Sequence, residues 1–132
     1  MINHVTVIGS GLMGAGIAAH LTNAGVNVLL LDIPDVSSKN RNNFADQAVK
    51  KLPKIKPSPL TLARNNNLIE TGNIDDHLHL IKNSDWVIEV IIEDLNIKKS
   101  LYEKIEDLMK DDLIVSSNTS TIPLKKLTEG RN

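Results

Sequence analysis

Apolar residues along this chain fall into short aliphatic runs that alternate with stretches where they recur at helical spacing. "HVTVIG" (4–9) is continuous enough for a buried strand, and "LMGAGIAAHLTNAG" (12–25) carries a helical pattern closed by Gly25 as a C-terminal cap. "VNVLLLD" (26–32) is a second strand. Strand, helix and strand within about 30 residues form a βαβ unit, which predicts parallel strands joined by a right-handed crossover. Residues 37–66 break the rhythm: they are polar and basic, and Pro53, Pro57 and Pro59 interrupt any long helix. Within them, 42–52 predicts a short amphipathic helix and 53–61 a loop. Further on, 67–72 predicts a short strand, "DWVIEVI" (85–91) a strand, and 97–110 an amphipathic helix with apolar positions Ile97, Leu101, Ile105 and Leu108. "LIVSSN" (113–118) is the last strand. This alternation predicts an α/β fold of the Rossmann type, a doubly wound, mainly parallel sheet with helices on both faces.

Composition narrows the picture only slightly. With 132 residues and 41% hydrophobic content the chain has material for one domain, or part of one. Fifteen basic against sixteen acidic residues leave a net charge of −1, so no overall basic field points to nucleic acid or an anionic membrane. There is no cysteine, which removes disulfides, thiolate metal sites and a cysteine nucleophile and fits a reducing compartment. No signal-like or bilayer-length apolar run is found, and the expectation is a soluble cytoplasmic protein.

The junction of the first strand and helix carries the chemistry. Gly9, Gly11 and Gly14 form G-x-G-x-x-G. In that motif the first glycine makes a tight turn, the second admits a pyrophosphate to the backbone, and the third lets the helix pack on the sheet. The anion then sits at the N-terminus of a helix beginning near Leu12. Gly9, Ser10, Gly11, Leu12, Met13 and Gly14 are therefore the candidate cofactor loop; glycines that serve only the turn are the plainer alternative. Asp32 ends the second strand, eighteen residues past Gly14, where a carboxylate accepts hydrogen bonds from an adenosine ribose. It would repel a 2′-phosphate, and "IPDVSS" (33–38) offers no Lys or Arg to receive one, so the expected cofactor is NAD rather than NADP.

The later segments "SDWVIEVIIEDLNIKKSLYEKI" and "IVSSNTSTIPLKKL", after "VIGSGLMGAGIAAHL" and "LLLD", resemble the 3-hydroxyacyl-CoA dehydrogenase family, particularly its bacterial multifunctional β-oxidation members. The resemblance covers nearly the whole chain. It implies that Glu93 and Lys98 lie at the NAD site and that Ser120, the second serine of S-N-T-S, contacts cofactor and the substrate's 3-oxygen, with Asn118 beside it. Each has a plainer alternative: a first-turn glutamate for Glu93, a solvated helix lysine for Lys98, a helix-capping turn for S-N-T-S. Glu89, inside an apolar run, reads as structural. His4, His20, His77 and His79 match no family catalytic position, and no metal site is expected.

Oxidising a secondary alcohol requires a base for its proton. The resemblance places that base, a histidine in an H-F-F-N-P segment, after S-N-T-S, whereas these residues run only to "EGRN". The expectation is thus an NAD-binding domain, incomplete at 1–132, whose catalytic histidine and helical C-terminal domain lie outside it. The family also holds CoA with a serine and a lysine on a helical hairpin; Ala48 stands near the serine's place, and Lys54 and Lys56 only approximate the lysine. The implied activity is L-3-hydroxyacyl-CoA oxidation in fatty-acid β-oxidation by a homodimer acting on acyl-CoA. The alternatives are a dehydrogenase for another hydroxy acid and a non-enzymatic NAD(H)-sensing module.

Overall fold

A computed structural model describes residues 1–92, 94–109 and 112–117. In chain order these form β1 (His4–Ile8), α1 (Leu12–Asn23), β2 (Asn27–Asp32), α2 (Asn43–Lys51), β3 (Ile69–Asn73), α3 (Ile74–His77), β4 (Trp86–Glu89), α4 (Leu95–Glu106) and β5 (Ile114–Ser117). The five strands make one sheet in the order β3-β2-β1-β4-β5, every neighbouring pair parallel. Chain order runs outward from β1 in one direction to β3, then crosses back to β4 on its other side. The carboxyl ends of β1 and β4 therefore flank a topological switch point, where open α/β sheets leave a crevice.

The period of two along each central strand sorts its side chains to two faces. Val5 and Val7 of β1 join Val28 and Leu30 of β2 under α1 and α2, while Ile8 and Leu31 face the other way with Val87, Leu101 and Ile105. Both faces are buried, as a parallel sheet requires. On α1 the inward positions Gly14, Ala15, Ala18, Ala19 and Thr22 are small and recur at helical spacing, so the helix axis approaches the sheet closely. Gly25 closes α1 at φ +80°, its N–H donating to the Thr22 carbonyl at 2.9 Å.

The departures from the sequence pattern lie at helix ends and between α2 and β4. α4 begins at Leu95 rather than Ile97 because Asp94 caps it, accepting the Ile97 amide at 3.0 Å, and it ends at Glu106, before Leu108. Residues 52–68 hold the 3₁₀ turns Leu52–Lys54 and Ala63–Leu68, with no second long helix after α2. Residues 73–84, without a clear periodic pattern, form α3 and a 3₁₀ turn, Leu78–Asn83; Asn73 caps α3 by accepting the Asp76 amide at 2.9 Å.

Candidate functional site

The three glycines at the switch point meet three different surroundings. Gly9 sits at φ +114°, and a Cβ there would lie 2.6 Å from the Val90 carbonyl oxygen, so β1 and β4 meet too closely for a side chain. A Cβ on Gly14 would overlap the Gly9 carbonyl, which is the contact that seats α1 against the end of β1. Gly11 differs from both. Its backbone angles at the N-cap of α1 are ordinary, and a Cβ there meets nothing within 4 Å. Two glycines are thus required by the fold, and the middle one faces open space at the N-terminal, positive end of the α1 dipole. That is the surface a pyrophosphate needs.

Asp32 stands at the adjoining strand end. Its Oδ2 accepts the Ser10 amide at 2.8 Å and the Ser10 hydroxyl, and its Oδ1 accepts the Ile33 amide at 2.7 Å. A carboxylate offers roughly four lone-pair positions, so acceptor capacity remains on Oδ1 for a ribose hydroxyl. The same contacts fix the glycine loop to β2. Ser10 is therefore a link between loop and acid as well as a loop residue.

Two clefts open beside this loop. The larger, about 760 Å³, runs from Gly9–Gly11, Asp32 and Ile33 across to Val90–Ile92 and α4. Its walls include Ile33, Ile92 and Ile97, which are 58%, 64% and 47% exposed, apolar side chains left at a rim where a flat aromatic base can cover them. The second, about 520 Å³, lies on the far side of the loop between α1 and α2, lined by Leu12, Phe44, Ala48, Lys51 and Ile55 among others. Ala48 and Lys51 face that cleft, while Lys54 and Lys56 are not among its lining residues.

Lys98 is not a solvated helix lysine: it is fully buried, with Nζ 3.3 Å from Oε2 of an equally buried Glu89. Glu89 also accepts the Ile91 amide at 2.8 Å, the Ser117 hydroxyl at 2.7 Å and the Tyr102 hydroxyl at 3.2 Å. Sequence reasoning set Glu89 aside because it sits in an apolar run. The available signal was its place as the last residue of a central strand, at the ligand-binding edge. Glu93, Asn118 and Ser120 lie outside the described residues.

Around the adenosine end, the loop after β2 is tied down by its own ion pairs. Arg41 donates to Asp76 at 2.8 Å through Nε and lies 3.7 Å from Asp75, and this guanidinium, with Asn73, holds the Asp76 carboxyl below its ordinary range. Hydrogen bonds from Ser37 and Asn43 outweigh desolvation and do the same for Asp35. Among the described residues no group of three His, Asp or Glu side chains is placed to hold a metal ion, and no helix is long and apolar enough to cross a membrane.

Comparison with known proteins meets this geometry from the other direction. The family model described as 3-hydroxyacyl-CoA dehydrogenase, NAD binding domain, matches residues 4–132. A Bacillus subtilis protein named "Probable 3-hydroxyacyl-CoA dehydrogenase" is 43% identical over 145 residues, covering 99% of this chain and 18% of that protein. A Shewanella loihica fatty acid oxidation complex subunit alpha is 33% identical over 129 residues, covering 97% of this chain and 18% of the subunit. Among solved structures, 3-hydroxybutyryl-CoA dehydrogenase from Escherichia coli superposes with a TM-score of 0.79 at 27% identity, over 100% of this chain and 28% of that one. The chain thus spans about a fifth of the length of the first two relatives.

Proposed function

Because the chain belongs to the NAD-binding domain family of the 3-hydroxyacyl-CoA dehydrogenases, we propose that it is the cofactor-binding part of an enzyme oxidising L-3-hydroxyacyl-CoA to 3-ketoacyl-CoA in fatty-acid β-oxidation. One observation carries the reading. Of three glycines at one turn, only Gly11 opens to free space, and it does so beside a carboxylate with acceptor capacity left. NAD bound there supplies the hydride acceptor for C3 of the substrate.

The chain's own residues divide the remaining work. The loop Gly9, Ser10, Gly11, Leu12, Met13 and Gly14 receives the pyrophosphate at the head of α1, and Asp32 receives the adenosine ribose and excludes a 2′-phosphate. Apolar side chains of the larger cleft cover the base. Glu93 and Lys98, from the β4–α4 region, belong to the NAD site, Lys98 enclosed against Glu89, and Ser120, beside Asn118, orients the substrate's 3-oxygen. The general base is a histidine outside residues 1–132, as is a second, helical domain that completes the acyl-CoA site and a homodimer. A cytoplasmic location fits the cysteine-free composition.

The test is turnover of the full-length gene product, followed by NADH formation. 3-Hydroxyacyl-CoA thioesters are expected to be oxidised and the free 3-hydroxy acids not. Equal turnover of the free acids would assign the site to a different hydroxy-acid dehydrogenase.

A further inference from the structure

Among the described residues Glu89 is the one buried acid at the carboxyl edge of the sheet's centre, and the division of work above gives it no task. Its carboxylate joins three pieces of the fold: the turn leaving β4 through the Ile91 amide, two successive turns of α4 through Lys98 and Tyr102, and the last residue of β5 through Ser117. A buried ion pair is a poor device for stability alone, because desolvation offsets most of the attraction. Several donors converging on one buried carboxylate instead define a single arrangement of the elements that carry them.

That arrangement lies on a particular side of the site. Asp32 and Ser10 anchor the β2 side of the crevice, whereas Glu89 ties β4 to α4 and to β5, on the opposite side of β1. A dinucleotide held at its adenosine ribose by Asp32 extends across the strand ends toward β4 and β5. We propose that Glu89 is a positioning residue for this second half of the dinucleotide, holding α4 and the end of β5 in register with the turn after β4. The inference rests on the NAD reading given above.

Glu89→Gln separates the two halves. An amide oxygen at the Oε2 position still accepts from the Ile91 N–H, so the turn walling the larger cleft keeps its partner, but Lys98 meets a neutral group there and the amide nitrogen replaces the acceptor of Ser117 and Tyr102, which loosens α4 and β5 from that turn. Asp32, held by Ser10 and Ile33, is untouched. Isothermal titration of wild-type and Glu89→Gln chains with NADH and with AMP reads the difference. NADH affinity is expected to fall by about tenfold or more, as for a misplaced binding group, while AMP affinity changes by less than about twofold. The emission change of the nicotinamide on binding should shrink in parallel. Equal losses for NADH and AMP would mean a general disturbance of the fold, and unchanged NADH affinity would mean no positioning role; either overturns the inference.

Ser117→Ala removes the link to Oε1 at 2.7 Å and serves if the charge variant does not fold. It should weaken NADH by about threefold, the scale of one hydrogen bond, without affecting AMP; wild-type NADH affinity there overturns the inference as well. If the wild-type chain binds neither ligand, the NAD reading itself falls and takes the inference with it.

Discussion

Gly11 and Asp32 show how much a residue's type and spacing can carry. The placement of the glycines and of the acid at the end of the second strand was legible because backbone geometry within one βαβ unit sets it. The structure adds which glycine is free: Gly11→Val places a side chain in open space, so NADH binding should be lost while the melting temperature stays near that of the wild type. Titration and a thermal scan of the same sample check both halves, and unchanged binding would leave the glycines a structural role only. Lys98 was not legible in this way. Its burial depends on an acid nine positions earlier in a different element, and no local pattern reports that α4 docks Lys98 onto Glu89. Asp35 carries a pH dependence of definite sign. Its folded-state pKa lies below the ordinary 3.8, so its contribution is present above that value and is lost as pH falls through the lower folded value. The gap in melting temperature between wild type and Asp35→Asn should therefore narrow on acidification below about pH 4. A gap independent of pH would show that the hydrogen bonds from Ser37 and Asn43 do not favour the charged form.

The elements that fold by their own periodicity were legible; those held by neighbours were not. β1, α1 and β2 follow directly from aliphatic runs around a small-residue helix, and β4, α4 and β5 repeat the pattern with their limits shifted by a few residues. The shift at the start of α4 has a named cause, the Asp94 cap. β3 also appears where 67–72 predicted a strand, but residues 52–68 and 74–83 are different. Their short 3₁₀ turns and α3 are held by side-chain contacts with other elements, such as Asn23 of α1 donating to the Pro59 carbonyl and Asn66 donating to the Val49 carbonyl of α2, and such contacts leave no period in the sequence. The packing of α1 on β1 gives the prediction that belongs at this scale. Gly14→Ala sets a methyl group against the Gly9 backbone carbonyl, which cannot rotate away, so a loss of about 1–3 kcal/mol is expected, the usual cost of overpacking a close contact. Urea unfolding measures it. A variant as stable as the wild type would mean that α1 can retreat from the strand at no cost.

At the scale of the whole molecule, the strand order creates the crevice and the glycine loop lines it. With β1 central and the chain reversing direction across it, Asp32 and Gly11 come to one lip and Val90–Ile92 to the other, each supplied by a different βα turn. The order of the strands comes from the structure, whereas a doubly wound parallel sheet could be anticipated from alternating strands and helices. The second cleft between α1 and α2 could not, because it depends on how α2 and the turns after it lie over the sheet. On the proposed reading the acid at the β2 lip makes the site selective as well as open: its carboxylate would accept from a ribose hydroxyl and repel a phosphate placed there. Ligand binding to the folded state also raises its stability by about 2.7 kcal/mol at a hundred times Kd, so the preferred dinucleotide should raise the melting temperature more than its competitor. The decisive measurement is isothermal titration of this chain with NADH and NADPH, repeated on Asp32→Ala. NADH should bind more tightly than NADPH, and the substitution should narrow the preference; equal affinities in the wild type, or tighter binding of NADPH, would overturn the assignment of the Gly11–Asp32 crevice as an NAD site.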